Sequence, residues 1–350
     1  MQRILLPFLA IAALLTSCSE GEKPKPKVTV YMYSEYIDPG IPKDFEKQTG
    51  IAVRIDVYEN TEEMMAKLQQ AGGVSQYDVV VVSDHAIPVL AKLKLLQPLD
   101  PAKVPNARNV AEQFKNPPYD PGCKFSLPYQ WGTMGLMYRK DKVQAAELSW
   151  TLLLDPAKQP APFVLIDSMR DMMAVALRTL GASVNSRKPE DLKAASQVVL
   201  RAKKSPKCLG FEGGVGGKSK VADATAGLAI VFSGDAIKAV KEDGHLAYAI
   251  PKEGSILWVD AMTVPAHAPN PEAAHKFINF ILDAQVGAKL SDFNCFASPN
   301  AASLGLIRKE DRDNPAIYPS ADQLKRLEYL EDLGPDTKLY DEVWTAIKTR

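Results

Sequence analysis

Tyr33-Ser34-Glu35-Tyr36 sets an aromatic, a hydroxyl, a carboxylate and a second aromatic side by side at the end of a β-rich run that begins at Val28. A carboxylate between ring faces suits an organic ammonium, because the charge pairs with the carboxylate and the rings add cation–π attraction. In an open α/β sheet, ligands sit beyond the carboxyl ends of the strands. These four side chains fall where the first strand should stop, ahead of the turn Asp38-Pro39-Gly40. Alone, the segment also fits ordinary sheet aromatics followed by a solvated loop charge. Other segments repeat the combination. Trp258 and Asp260 share one face of a strand by two-residue alternation. Phe232-Ser233-Gly234-Asp235 ends an apolar strand, where Asp235 fits either a ligand carboxylate or a first-turn residue set against the helix dipole. Ser168-Met169-Arg170-Asp171 has the spacing of a capping box with Asp in place of Glu, which alone would account for both polar residues; Asp171 also qualifies as a ligand carboxylate.

The elements that must position these groups alternate. Helices are expected over 42–48, 61–71, from Ala86, 169–180, 189–203, 234–242 and 271–282. Strands are expected over 51–58, 78–82, 131–138, 228–232 and 258–264. The run Asp78 to Val82, unbroken valine after Asp78, has the look of a buried parallel strand and delivers Ser83, Asp84 and His85 to its carboxyl end. Such βα alternation implies α/β sheets, and 350 residues suggest two lobes.

Composition excludes several classes. The chain has 42 basic and 42 acidic residues and no basic stripe, so nucleic acid is not an expected partner. No GxSxG, HExxH or metal-spaced histidine pair occurs, so an enzyme has little to stand on, and no cofactor or metal is expected. Glu212-Gly213-Gly214-Val215-Gly216-Gly217-Lys218-Ser219 nearly spells a P-loop, but Glu212 stands where the first glycine belongs and 203–208 is not strand-like, which points to a flexible loop. Cys123, Cys208 and Cys295 are odd in number and widely spaced, indicating neither a full disulfide set nor a zinc cluster, though one pair could form.

The N-terminus reads as a leader. Arg3 precedes an apolar run from Ile4 to Leu15, too short to span a bilayer but right for a signal-peptide core. Leu15-Thr16-Ser17-Cys18 resembles the lipobox of bacterial lipoproteins; an ordinary cleaved signal is the alternative. Residues 1–17 are then the signal and 18–27 an extended tether, with Cys18 as the lipidation site.

Tyr33-Ser34-Glu35-Tyr36, Tyr77-Asp78-Val79-Val80-Val81-Val82-Ser83, Leu127-Pro128-Tyr129-Gln130-Trp131-Gly132, and Pro251-Lys252-Glu253-Gly254 leading to Trp258-Val259-Asp260 resemble, in order, the spermidine/putrescine-binding solute-binding proteins of bacterial ABC importers. The resemblance implies a two-lobed type II periplasmic binding protein fold, each lobe a sheet flanked by helices. The lobes would be 28–135 with 261–300 and 136–260 with 301–350, exchanging chain near Gly135 and Asp260 and closing about that hinge. It implies that Glu35 with Ser34 takes one terminal amine. Asp260, with Asp171 or Asp235, takes the other, while Tyr36, Trp131, Phe232 and Trp258 wall the methylene chain. Tyr33, Ser83, His85 and Ser168 complete the expected ligand set. The implied protein is an exported monomer, not an enzyme, held to the membrane by its lipid alone. It would deliver a small organic cation such as putrescine to permease subunits. The chain departs from the family pattern at Tyr33, His85, Ser168, Phe232 and Leu330, where Trp, Tyr, Asp, Trp and Gln are usual. The departures leave open a receptor for another cationic or zwitterionic metabolite, or for ferric iron through Tyr33, His85 and Asp260. A periplasmic lipoprotein enzyme is a further alternative.

Overall fold

The computed structural model describes residues 26–70, 75–213 and 215–349; the leader, Cys18 and the tether up to Lys25 lie outside the described residues. The strands are β1 Lys27–Tyr33, β2 Ala52–Tyr58, β3 Val79–Ser83, β4 Ser126–Arg139, β5 Phe163–Ile166, β6 Cys208–Glu212, β7 Leu228–Phe232, β8 Leu246–Ala249, β9 Ser255–Thr263 and β10 Leu327–Glu328. They join in the order β2-β1-β3-β9-β4-β7-β5-β6, with β8 on β4 and β10 on β9. β1, β2 and β3 are parallel, as are β5, β6 and β7; β9 runs antiparallel to β3 and β4 and parallel to β10, and β4 runs antiparallel to β7, β8 and β9. Lys27, expected in the tether, already belongs to β1.

β3 shows why the valine run could be read directly. Val79 and Val81 bury in one apolar cluster with Met32 and Phe277, and Val80 and Val82 bury in another with Tyr58 and Ile87. Both faces are covered, so no polar alternation survives in the sequence. Each such valine contributes about 1.5 kcal/mol or more on burial, which fixes the strand that ends at Ser83.

β4 joins the halves. From Ser126 to Thr133 it pairs with β9, and from Met134 to Tyr138 with β7, with β8 on its other edge from Leu136. One sheet is therefore β2-β1-β3-β9-β4, and the other is the far end of β4 with β7, β5 and β6. Asp260 pairs inside the first sheet, with Ser83 and Gln130, so the second passage between sheets lies nearer Ser255 than Asp260. Gly132 permits the close approach of β9 at this junction: a Cβ there would stand 2.6 Å from the Trp258 ring.

The glycine-rich segment is not a flexible loop. Glu212 closes β6 and Gly216–Ala222 is a helix, so a strand and a helix flank Gly214, which lies outside the described residues. Glycine content masked the helix, which is fixed instead by a Glu212–Lys220 ion pair of 3.0 Å and by packing on β7. Cys123, Cys208 and Cys295 are free thiols.

Candidate functional site

Asp260 is the most buried carboxylate of the expected ligand set, 6% exposed. Its place opposite Ser83 sets it at the carboxyl end of β3. Tyr36 Oη donates to Oδ2 at 2.7 Å and Ser83 Oγ to Oδ1 at 2.8 Å. Tyr33 Oη lies 2.9 Å from both Ser83 Oγ and Thr61 Oγ1, extending the network to the helix Thr61–Gln70. Burial pushes the Asp260 carboxyl up to about 6, against the pull of the Tyr36 and Ser83 donors. Burial and then the Asp260 charge raise the Tyr33 and Tyr36 phenols, which stay neutral donors. Among the described residues no lysine or arginine pairs with Asp260. His85 acts on Asp260 from nearby and lowers its carboxyl, but a desolvated carboxylate with hydroxyl donors and no permanent cation beside it is a place for a cation.

Rings surround this carboxylate. Trp258 stands edge-on to Phe232 at 5.9 Å and to Phe296 at 5.0 Å, and Phe296 stands edge-on to Tyr36 at 5.7 Å. Trp258 Nε1 is buried with no partner among the described residues. Tyr36 is held by its carbonyl, which accepts from Tyr129 Oη at 2.7 Å and Asn294 Nδ2 at 2.8 Å. Trp131 is not part of the box. It lies opposite Val259, whereas Trp258 lies opposite Gly132, so alternation points Trp131 to the other face of the sheet. There it packs between Phe114 and Tyr318 and donates to the Ser298 carbonyl.

The second sheet contributes from the ends of β5 and β7. Ser168 precedes the helix Met169–Thr179 without a side-chain capping bond, so the capping box suggested by the spacing is not formed. Asp171 is instead desolvated: burial raises its carboxyl, Ser168 and His85 pull it down, and Glu62 pushes it up. Those neighbours place it facing the first lobe. Asp235 occupies the first turn of the helix Ser233–Glu242, and it too is raised by burial, lowered by Lys218 and Lys238, and raised by Glu35. The first-turn placement expected of Asp235 is therefore seen. Glu35 is the exception to burial; it is exposed, at a left-handed φ of 54°, beside half-buried Ser34. His85 Nδ1 lies 3.4 Å from Asp84 Oδ1.

Sequence reasoning missed Thr61, Glu62, Asp84, Lys218 and Phe296. Asp84, 1% exposed, accepts from the backbone of His85 at 2.7 Å and of Val259 at 3.1 Å, pinning β9 to the loop that carries Ser83. It is a positioning residue, and its place at the end of the valine run was its signal. Phe296 had none, since it follows the helix Ala284–Asn294 in a segment with no motif.

The family profile described as "Bacterial extracellular solute-binding protein" matches residues 41–305. The chain is 31% identical to spermidine/putrescine-binding periplasmic protein 1 of Haemophilus influenzae, over 97% of this chain and 96% of that protein. It is 34% identical to the putrescine-binding periplasmic protein SpuD of Pseudomonas aeruginosa, over 91% of each. A solved structure, described as a putative spermidine/putrescine ABC transporter from Listeria monocytogenes, matches with a TM-score of 0.86 at 35% identity, covering 93% of this chain and 99% of that one.

Proposed function

Because this chain belongs to the bacterial extracellular solute-binding proteins and shares their two-lobed type II fold, we propose that the cleft between its sheets binds a polyamine and that the lobes present it to an ABC importer. The protein is exported to the periplasm, acts as a receptor rather than an enzyme, and takes putrescine as its preferred ligand. Asp260 carries this reading: a buried carboxylate with two hydroxyl donors, no lysine or arginine partner among the described residues and a ring box beside it. A terminal ammonium supplies the missing charge, and Trp258, Phe296, Phe232 and Tyr36 cover the methylenes. Asp171, which like Asp260 feels His85, is proposed beside Asp260, and Glu35 with Ser34, joined by Asp235, for the remaining amine. The lobes are proposed as 28–135 with 261–300 and 136–260 with 301–350, save that the pairing of Asp260 with Ser83 and Gln130 moves the second crossing toward Ser255; the crossing strands serve as hinge.

The test is calorimetric titration with putrescine, spermidine and ferric citrate. Only ionised Asp260 holds an ammonium, and its carboxyl titrates near 6. Putrescine should therefore bind about tenfold more weakly at pH 5 than at pH 8, each pH unit below the carboxyl's own value costing about a factor of ten. Ferric citrate bound with no amine bound, or amine affinity independent of pH across this range, overturns the reading.

Export is proposed to end in acylation of Cys18, leaving a lipid-anchored monomer. A Cys18→Ala form should retain its leader and take up no labelled palmitate. Wild type that carries no palmitate in its own host would remove the anchor.

A further inference from the structure

Lys218 enters the cleft on the helix hidden in the glycine-rich segment. A Cβ on Gly217 would lie 3.4 Å from Ala229 Cβ and from the Ile230 carbonyl, ordinary van der Waals contact, so the start of the helix Gly216–Ala222 packs directly on β7. Val221 is fully buried beneath it. From this fixed base Lys218 Nζ reaches to 3.9 Å from Glu35 Oε2, across from the second sheet to the turn after β1. The lysine side chain is 18% exposed and that of Glu35 67%. The same ammonium acts on Asp235, which also feels Lys238 and Glu35. These two carboxylates are the ones proposed above for an amine of the ligand, and a protein amine already stands between them.

We propose that Lys218 is a tethered ammonium occupying the Glu35–Asp235 end of the unliganded cleft, which one end of an incoming diamine must displace. The inference rests on the polyamine reading and adds the residue that tunes it. Two ammonium groups cannot share this subsite without repulsion. A lysine carries its charge on a flexible four-carbon stem, so it can yield and turn toward solvent when a ligand arrives. Lys218 therefore weakens diamine binding at this end and leaves the Asp260 end untouched. It also ties the lobes together across the empty cleft, and that tie is released as the ligand's own charges take over.

Putrescine titrations of wild type, Lys218→Met and Lys218→Arg test this, with Lys218→Gln as a second neutral form. Lys218→Met and Lys218→Gln should bind roughly two- to fivefold more tightly, the upper part of the range of a partly exposed charge contact. Lys218→Arg, which keeps the charge, should gain nothing, and the gain should shrink at high salt. Putrescine binding that is unchanged or weaker in both neutral forms overturns the assignment alone. Tighter binding of γ-aminobutyrate than of putrescine by wild type, lost in Lys218→Met, also overturns it and makes Lys218 a carboxylate contact. No amine bound by any form overturns it together with the reading on which it rests.

Discussion

Asp260→Asn is expected to lose about 2–5 kcal/mol of putrescine binding while the unliganded protein keeps or gains thermal stability. The two effects have one cause. Asp260 is desolvated, and its carboxyl is raised to about 6 from an ordinary value of 3.8. A raised acid is a native state that prefers the proton. The stability it contributes is fully present below the unfolded value and is lost as pH rises through the folded one. At neutral pH the bare carboxylate thus costs the empty fold on the order of 3 kcal/mol. An amide of the same shape removes that cost and still accepts one hydroxyl donor, but it offers the ligand no charge. The ammonium would then be buried unpaired. Differential scanning calorimetry and titration of the same sample decide the matter. Affinity within twofold of wild type would take Asp260 out of the site, and a large fall in melting temperature would mean that the carboxylate is structural.

Much of this arrangement was legible in the sequence where burial is two-sided or a helix start is marked. β3, β7, and the helices Pro189–Lys203 and Pro271–Ile281 follow their patterns closely, because valine runs and N-terminal prolines have single physical meanings. β5, β8 and β10 are four, four and two residues long, too short for a period to show. β6 reads CLGFE, half-exposed with an internal glycine, and only its neighbours make it a strand. The Asp283 cap of the helix Ala284–Asn294 was a usable signal, since its side chain accepts from the backbone of Gln285 and Val286. It was hidden by following directly on another helix. In the site, alternation within β9 correctly joined Trp258 to Asp260. Alternation could not relate Trp131 to them, because that needs the register between β4 and β9. Phe296 and Lys218 lie far along the chain from the other cleft residues, and only the fold brings them near.

Wild type is expected to bind putrescine more tightly than spermidine, and Ser168→Asp to reverse the order. Spermidine differs by a charged secondary amine in mid-chain. At position 168, where the resemblance to the polyamine receptors implies a carboxylate, this chain has Ser168, whose hydroxyl cannot neutralise that charge. Asp171, beside it, is already desolvated and shares its field with Glu62 and His85. A third ligand charge would therefore be buried against a carboxylate engaged elsewhere, at a cost of several kcal/mol if left unpaired. An aspartate at 168 would supply the countercharge. It would stand at the cap of the helix Met169–Thr179, where no side chain now caps the backbone and where a negative charge is favoured by the dipole. The substitution should thus be tolerated by the fold. With Asp171 close by, it should also raise that carboxyl further and weaken the empty site's hold on a diamine until a trivalent amine bridges both. Competition titrations at pH 8 read the result. The expected outcome is a loss of putrescine affinity with a gain for spermidine of at least tenfold in their ratio, about 1.4 kcal/mol. Spermidine bound more tightly than putrescine by wild type, or a ratio unmoved by Ser168→Asp, would show that position 168 does not face the middle of the ligand.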